Sequence, residues 1–222
     1  MNLNTKDAIN IRYSNLAEKS CCLSCGGAVD YSIIKQGNIC VDLGSGRGID
    51  TIKMAEKTGE TGHVYGIDIS EGMIKKAKNN KEKFNIKNVS FIKAGLESLP
   101  FEDNSIDIVI SNCTINHAEN KQKVWNEIYR ILKPTGYFIV SDIYSSKPVP
   151  VEYKNDSQAV AECWAGSVTK EKYLEHLTNS GFKDLEIIEE SEPYQKGRIF
   201  VSSWTIKGKK ENNICKCSCS CS

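Results

Sequence analysis

The sequence predicts an α/β domain built on a mostly parallel, seven-stranded sheet with helices on both faces. Three observations predict it. From "NICVDLGSGRG" to "YFIVSDIY" short apolar runs alternate with stretches of helical spacing, the pattern of a parallel sheet covered by helices. The first run breaks into glycines directly before a helix, so a ligand is expected beyond the carboxyl ends of the strands. The 222 residues also suffice for one sizeable α/β domain with its own core.

Each element follows from local chemistry. Residues 39–43 read as a buried strand, and "IDTIKMAEKT" after the glycines places Ile49, Ile52 and Ala55 on one helical face. "HVYGIDIS" is a second strand, with Ser70 as the N-cap of a helix through "EGMIKKAKNNKEKF". "VSFIKA" and "IDIVISN" are the third and fourth strands. A helix through "KQKVWNEIYRIL" stops at Lys133-Pro134, and a fifth strand is expected at 137–143. Beyond a Pro-rich, polar stretch at 145–160, a helix around 169–180 ends at Gly181. "DLEIIEE" and "IFVSSWTIKG" supply the last two strands.

The organisation expected is a cysteine-containing cap segment at 1–37, a core at 38–144, a substrate-binding part with closing strands at 145–206, and a flexible tail at 207–222. Formal charge is +1 with scattered basic residues, so nucleic acid is not expected as a partner. No run approaches the roughly 20 apolar residues of a membrane span. The start "MNLNTKDAIN" is too polar for a signal peptide, so a cytoplasmic protein is expected.

That compartment bears on the ten cysteines, because reducing conditions favour metal-binding or catalytic thiols over disulfides. Cys21, Cys22 and Cys25 sit early; Cys215, Cys217, Cys219 and Cys221 sit in the tail; Cys40, Cys113 and Cys163 lie between. Cys40, inside the first strand, reads as a small buried hydrophobe.

"VDLGSGRG" lets the backbone turn tightly and approach a ligand closely, but Gly48 comes two residues after Gly46, unlike the dinucleotide fingerprint. Asp42 precedes the loop, and Asp68 ends the second strand, where a carboxylate can accept two ribose hydroxyls. Together with "GLESLPFEDNSIDIVISN", this set resembles the Rossmann-like class I S-adenosylmethionine-dependent methyltransferases over residues 38–143. The resemblance implies S-adenosylmethionine as cofactor, with Asp42, Gly44, Ser45, Gly46 and Gly48 at its methionine end. It implies Asp68 and Ile69 at the ribose, Met73, Leu96 and Glu97 around the adenine, and Asn112 lining the same site.

The fourth strand of such a sheet delivers residues to the acceptor substrate. Here "ISNCTIN", "ECWAGSVT" and the early "SCGG" resemble the arsenite methyltransferases. Cys25, Cys113 and Cys163 are thereby implied as ligands of trivalent arsenic, with Asn112 and Asn116 as supports. Cys25 precedes Asp42 by seventeen residues, in the family's register. The chain departs from the family in lacking the segment between an early Cys-Cys pair and this element, so Cys21 and Cys22 are candidate helper thiols. A soft trivalent arsenic on three thiolates would present its lone pair as the nucleophile. Partners then expected are an arsenical substrate and a thiol reductant such as thioredoxin or glutathione, acting on a monomer. His117 lies close to the site loop, whereas His63 and His176 read as surface or packing residues.

Two alternatives use the same residues differently. A methyltransferase for a small organic acceptor, such as a quinone precursor, has no need of Cys113 or Cys163. A thiol-rich metal-binding or sensor protein would keep the fold, with zinc on the tail thiolates, but Cys-x-Cys spacing is unlike the structural zinc knuckle.

Overall fold

The computed structural model describes residues 5–17, 27–156, 159–160 and 162–212. Cys21, Cys22, Cys25 and the four tail cysteines lie outside the described residues. The elements run α1 (Thr5–Leu16), β1 (Ile39–Leu43), α2 (Ile49–Thr58), β2 (His63–Asp68), α3 (Glu71–Lys83), β3 (Val89–Lys93) and β4 (Ile106–Asn112). They continue as α4 (Lys121–Ile131), β5 (Leu132–Ser145), α5 (Val151–Lys154), α6 (Lys170–Asn179), β6 (Lys183–Glu190), β7 (Tyr194–Lys196) and β8 (Ile199–Lys209). Two 3-10 turns, Ile115–His117 and Trp164–Gly166, complete the order.

The main sheet runs β3-β2-β1-β4-β5-β8-β6, seven strands as expected. The first five are mutually parallel, and β8 runs antiparallel between β5 and β6. An eighth short strand, β7, pairs only with β8 and is too short for alternation to have revealed it. Ser70 caps α3 as expected, its side chain accepting from the Met73 amide. Thr169 does the same for α6 through the Lys172 amide.

Three features differ from the sequence reading. The N-terminal segment holds a helix, α1, whose polar sequence carries no clear apolar stripe. It is held by polar ties instead: Ser14 Oγ lies 3.1 Å from Ser70 Oγ, and Arg47 donates to the Leu16 carbonyl at 2.6 Å. The fifth strand starts at Leu132, not 137, because the chain leaves α4 directly into pairing with Ile106. The tail expected from 207 begins later, because the last strand, read as 199–208, runs to Lys209, which pairs with Tyr137.

The core on one face centres on Trp125 of α4, which is fully buried against Phe138, Tyr173 and Phe182. A third cluster gathers Cys113, Cys163 and Trp164 with Ile143, Ile199 and Val201, so both cysteines sit on a packed base. Removing the Trp125 ring leaves a cavity the β5 and α6 neighbours cannot fill. Trp125→Ala is expected to lower unfolding free energy by about 3–5 kcal/mol, read from a urea titration followed by circular dichroism.

Candidate active site

β1 is flanked by β2 on one side and β4 on the other, so strand order reverses between β1 and β4. Loops leaving such a point diverge and open a crevice. A cavity of about 260 Å³ occupies it, lined by the glycine turn, the ends of β2 and β4, and α1.

The glycines of the first loop serve three different purposes. Gly44, Gly46 and Gly48 all have left-handed backbones, with φ of 73°, 52° and 77°. At Gly44 a Cβ would lie 1.9 Å from Thr114 Oγ1, so this glycine admits the loop after β4. At Gly48 a Cβ would lie 2.4 Å from the Phe91 ring, a packing demand under the sheet. Only Gly46 faces open space, its nearest neighbour being the Gly44 carbonyl at 4.0 Å, and Gly46 lines the cavity. Asp68 lines it too. One Asp68 oxygen accepts from the Gly46 amide at 2.9 Å and the other from the Ser70 amide at 2.8 Å. The Ile69 amide acts on the same carboxylate, which with about four acceptor sites keeps capacity for a ribose hydroxyl. Burial raises the Asp68 pKa, against the pull of those amides.

Ile69, Met73, Leu96, Glu97 and Asn112 share this wall. Asp42, Ser45 and Gly48 do not line it. Asp42 is buried beneath the loop, accepting from Thr51 Oγ1 at 2.6 Å, and burial pushes its carboxyl up to about 7. The Asn112 amide is committed to protein partners, accepting from the Ala28 amide at 3.3 Å and donating to Asp50 at 3.0 Å. It thus ties the segment following Cys25 to the end of β4. A glycine open to the cavity and a carboxylate with free lone pairs fit the nucleoside end of the expected cofactor.

Cys113 and Cys163 meet in the lining of the same cavity. Both have positive φ, 52° and 74°, and Cys163 with ψ −47° occupies the strained γ-turn region. The Cys163 sulfur lies 3.1 Å from His117 Nε2, 2.9 Å from the Cys113 carbonyl oxygen and 3.9 Å from the Tyr13 hydroxyl. Tyr13 Oη also lies 3.0 Å from His117 Nε2. His117 Nδ1 is 3.1 Å from the Val160 carbonyl, which only accepts, so Nδ1 carries a proton and Nε2 faces the sulfur.

The Cys163–carbonyl contact suits a protonated thiol, but the remaining groups favour the thiolate. A hydrogen bond from the Cys113 side chain acts most strongly, ahead of the opposing burial and of the His117 charge and hydrogen bond. The Cys163 pKa falls well below its ordinary 9.0. Burial lowers that of His117, yet the Cys163 charge and hydrogen bond outweigh it and the net shift is upward. Both shifts favour the ionised form of the pair, Cys163 as thiolate and His117 as imidazolium. Cys40 shows the contrast: without such donors, burial pushes its thiol up to about 12.

A family model described as a methyltransferase domain matches residues 34–181. The chain belongs to that family. The arsenite methyltransferase of Halobacterium salinarum is 35% identical over 182 residues, covering 82% of this chain and 46% of its own length. The crystal structure of an arsenic(III) S-adenosylmethionine methyltransferase from Chlamydomonas reinhardtii matches with a TM-score of 0.73 at 26% identity, covering 92% of this chain and 73% of that one. A ubiquinone/menaquinone biosynthesis C-methyltransferase of Escherichia fergusonii is 34% identical over 122 residues, 54% of this chain and 48% of its own. The chain spans less than half the length of the arsenite methyltransferase of Halobacterium salinarum.

Within this methyltransferase-family chain, sequence reasoning missed Tyr13, Thr114, Asp142 and Gly166. Tyr13 reaches the site from a helix without a periodic signal. Asp142, inside β5, is buried and pushed up to about 7 by burial, and accepts from Asn116 Nδ2 and the Ile143 amide, both at 2.8 Å. His63 and His176 have ordinary partners, Ser90 and Gln122.

Two outcomes follow from this geometry. Gly46→Ala places a methyl group in the cofactor's path and adds left-handed strain of about 1–2 kcal/mol, so S-adenosylmethionine titration should show weakened binding with the fold intact. Iodoacetamide alkylation of Cys163, mapped by mass spectrometry, reports the thiolate. In the parent its rate should fall less than an ordinary thiol's as pH drops from 9 towards neutrality. In His117→Ala the cation and its hydrogen bond are lost, the Cys163 pKa rises, and the rate should fall more steeply across that range.

Proposed function

We propose that this chain methylates trivalent arsenic held on cysteine thiolates, using S-adenosylmethionine. The observation that carries the reading is the Cys113–Cys163 pair, brought from separate parts of the chain into the crevice that Gly46 and Asp68 also line. Similarity to arsenite methyltransferases over most of the chain supports it, and the quinone-type relative matches a shorter stretch.

Arsenite is a neutral oxyacid at neutral pH, so hydrogen bonding alone distinguishes it poorly from water, whereas soft arsenic prefers thiolate ligands. Each ligation replaces an As–OH bond by As–S. The Cys163 thiolate donates the electron pair, the imidazolium of His117 returns the proton, and water leaves. Cys113 supplies a second thiolate. Cys25, outside the described residues, is proposed as the third, and the Ala28–Asn112 tie restricts the chain three residues after it.

When bound, S-adenosylmethionine supplies an activated methyl group with a sulfonium as leaving group. The protein's task is then alignment: Asp68 and Gly46 hold one end of the crevice, the cysteine turns the other. Forming the As–C bond uses the lone pair and oxidises arsenic by two electrons. We propose thioredoxin or glutathione thiols as the reductant, in a cytoplasmic monomer.

Incubation with labelled S-adenosylmethionine, a thiol reductant and arsenite should yield methylated arsenic. Cofactor binding without any methylated arsenic would sink the reading. Cys113→Ser and Cys163→Ser should each lower turnover by a factor on the order of 10² or more, with cofactor affinity retained.

A further inference from the structure

The two cysteines reside on turns that are far apart in sequence, and their spacing depends on how those turns pack. Ile115–His117 follows Cys113, and Trp164–Gly166 follows Cys163. At their contact, a Cβ built on Gly166 would lie 2.1 Å from the Asn116 carbonyl oxygen and 3.0 Å from its carbonyl carbon. Those are backbone atoms, so no side chain can rotate away. The backbone of Gly166 is not left-handed, so its lack of a side chain answers a demand for space and not for conformation.

Asn116 cannot yield easily. Its side chain is 1% exposed, and its Nδ2 donates to Asp142 at 2.8 Å and to the Ile143 carbonyl at 2.7 Å. Asp142 Oδ1 is itself fixed by the Ile143 amide at 2.8 Å. The first turn is therefore pinned to β5, and the second rests against it at a point where only hydrogen fits. On the opposite side Ser167 Oγ donates to the Trp164 carbonyl at 2.6 Å, which stiffens the second turn.

We propose that Gly166 is a positioning residue that sets the separation of Cys113 and Cys163, with Asn116 and Asp142 as its fixed stop. The arsenical side of this assignment rests on the proposed function; the spacing itself does not. Chelation by two thiols gains from their pre-set separation, because the second bond then forms intramolecularly. A methyl group at 166 would push the Cys163 turn outward and break that match, leaving the cofactor half of the crevice untouched.

Dibromobimane, a short bifunctional thiol reagent, tests the spacing without arsenic. In the full chain with cofactor bound, peptide mapping should find a Cys113–Cys163 cross-link. In Gly166→Ala that cross-link should drop by about tenfold or more, with cofactor affinity unchanged and methylarsenite KM raised in parallel. Cross-linking equal to the parent's in Gly166→Ala, or none in the parent, overturns the proposal. Should Gly166→Ala fail to bind cofactor, Asn116→Ala carries the same test, since it cuts the ties to Asp142 and Ile143; an undiminished cross-link there overturns it equally. A parent that cross-links but binds no methylarsenite supports the spacing and defeats the arsenic reading.

Discussion

The placement of β1 between two parallel neighbours is the constraint from which the site follows. With β2 on one side and β4 on the other, the connections leaving their carboxyl ends run to opposite faces and cannot close over the gap. The glycine turn after β1 and the cysteine turn after β4 face each other across it, and they touch at one place, Gly44 against Thr114. Gly44 is thus set by the meeting of two loops, Gly48 by Phe91, and only Gly46 by room for a ligand. One motif contains three separate physical demands, and the sequence pattern alone does not sort them.

Burial pushes both buried thiols the same way, and their partners decide the net direction. Cys40 lies within β1 among apolar side chains, and its thiol stays protonated because nothing there stabilises a charge. Cys163 is buried too, yet a hydrogen bond from Cys113 and the charge and hydrogen bond of His117 bring its pKa well below the ordinary value. The low-dielectric surroundings that penalise an isolated charge also strengthen a well-placed partner. The reactive character belongs to the constellation, and the left-handed backbone at both cysteines is part of what assembles it.

Most of the sheet was legible because βα repeats carry their own punctuation: apolar runs, the Ser70 cap, Pro134 after α4, Gly181 after α6. What escaped lacked a local signal. α1 gains its place from contacts with α3 and the crevice, so its polar sequence gave no period, and Tyr13 stayed invisible with it. That Asp68, Met73 and Leu96 would share one wall of the crevice was readable from motif position, since the strand ends fix where the chain turns. Asp42 was readable as important but not in its surroundings, because its bond to Thr51 depends on how α2 packs. His117 beside Cys163, and Gly166 against Asn116, bring together residues about fifty apart in sequence, which no local pattern records.

The two groups of residues that line the crevice come from different parts of the fold. Gly46, Asp68, Ile69 and Met73 come from the first two βα units, while the thiol end draws on the turns after β4 and before α6, both braced by β5. Two cysteines on separate turns have a defined spacing only where one turn rests on a fixed stop, and the Trp164–Gly166 turn rests on the Asn116 carbonyl, itself tied to β5 through Asp142 and Ile143.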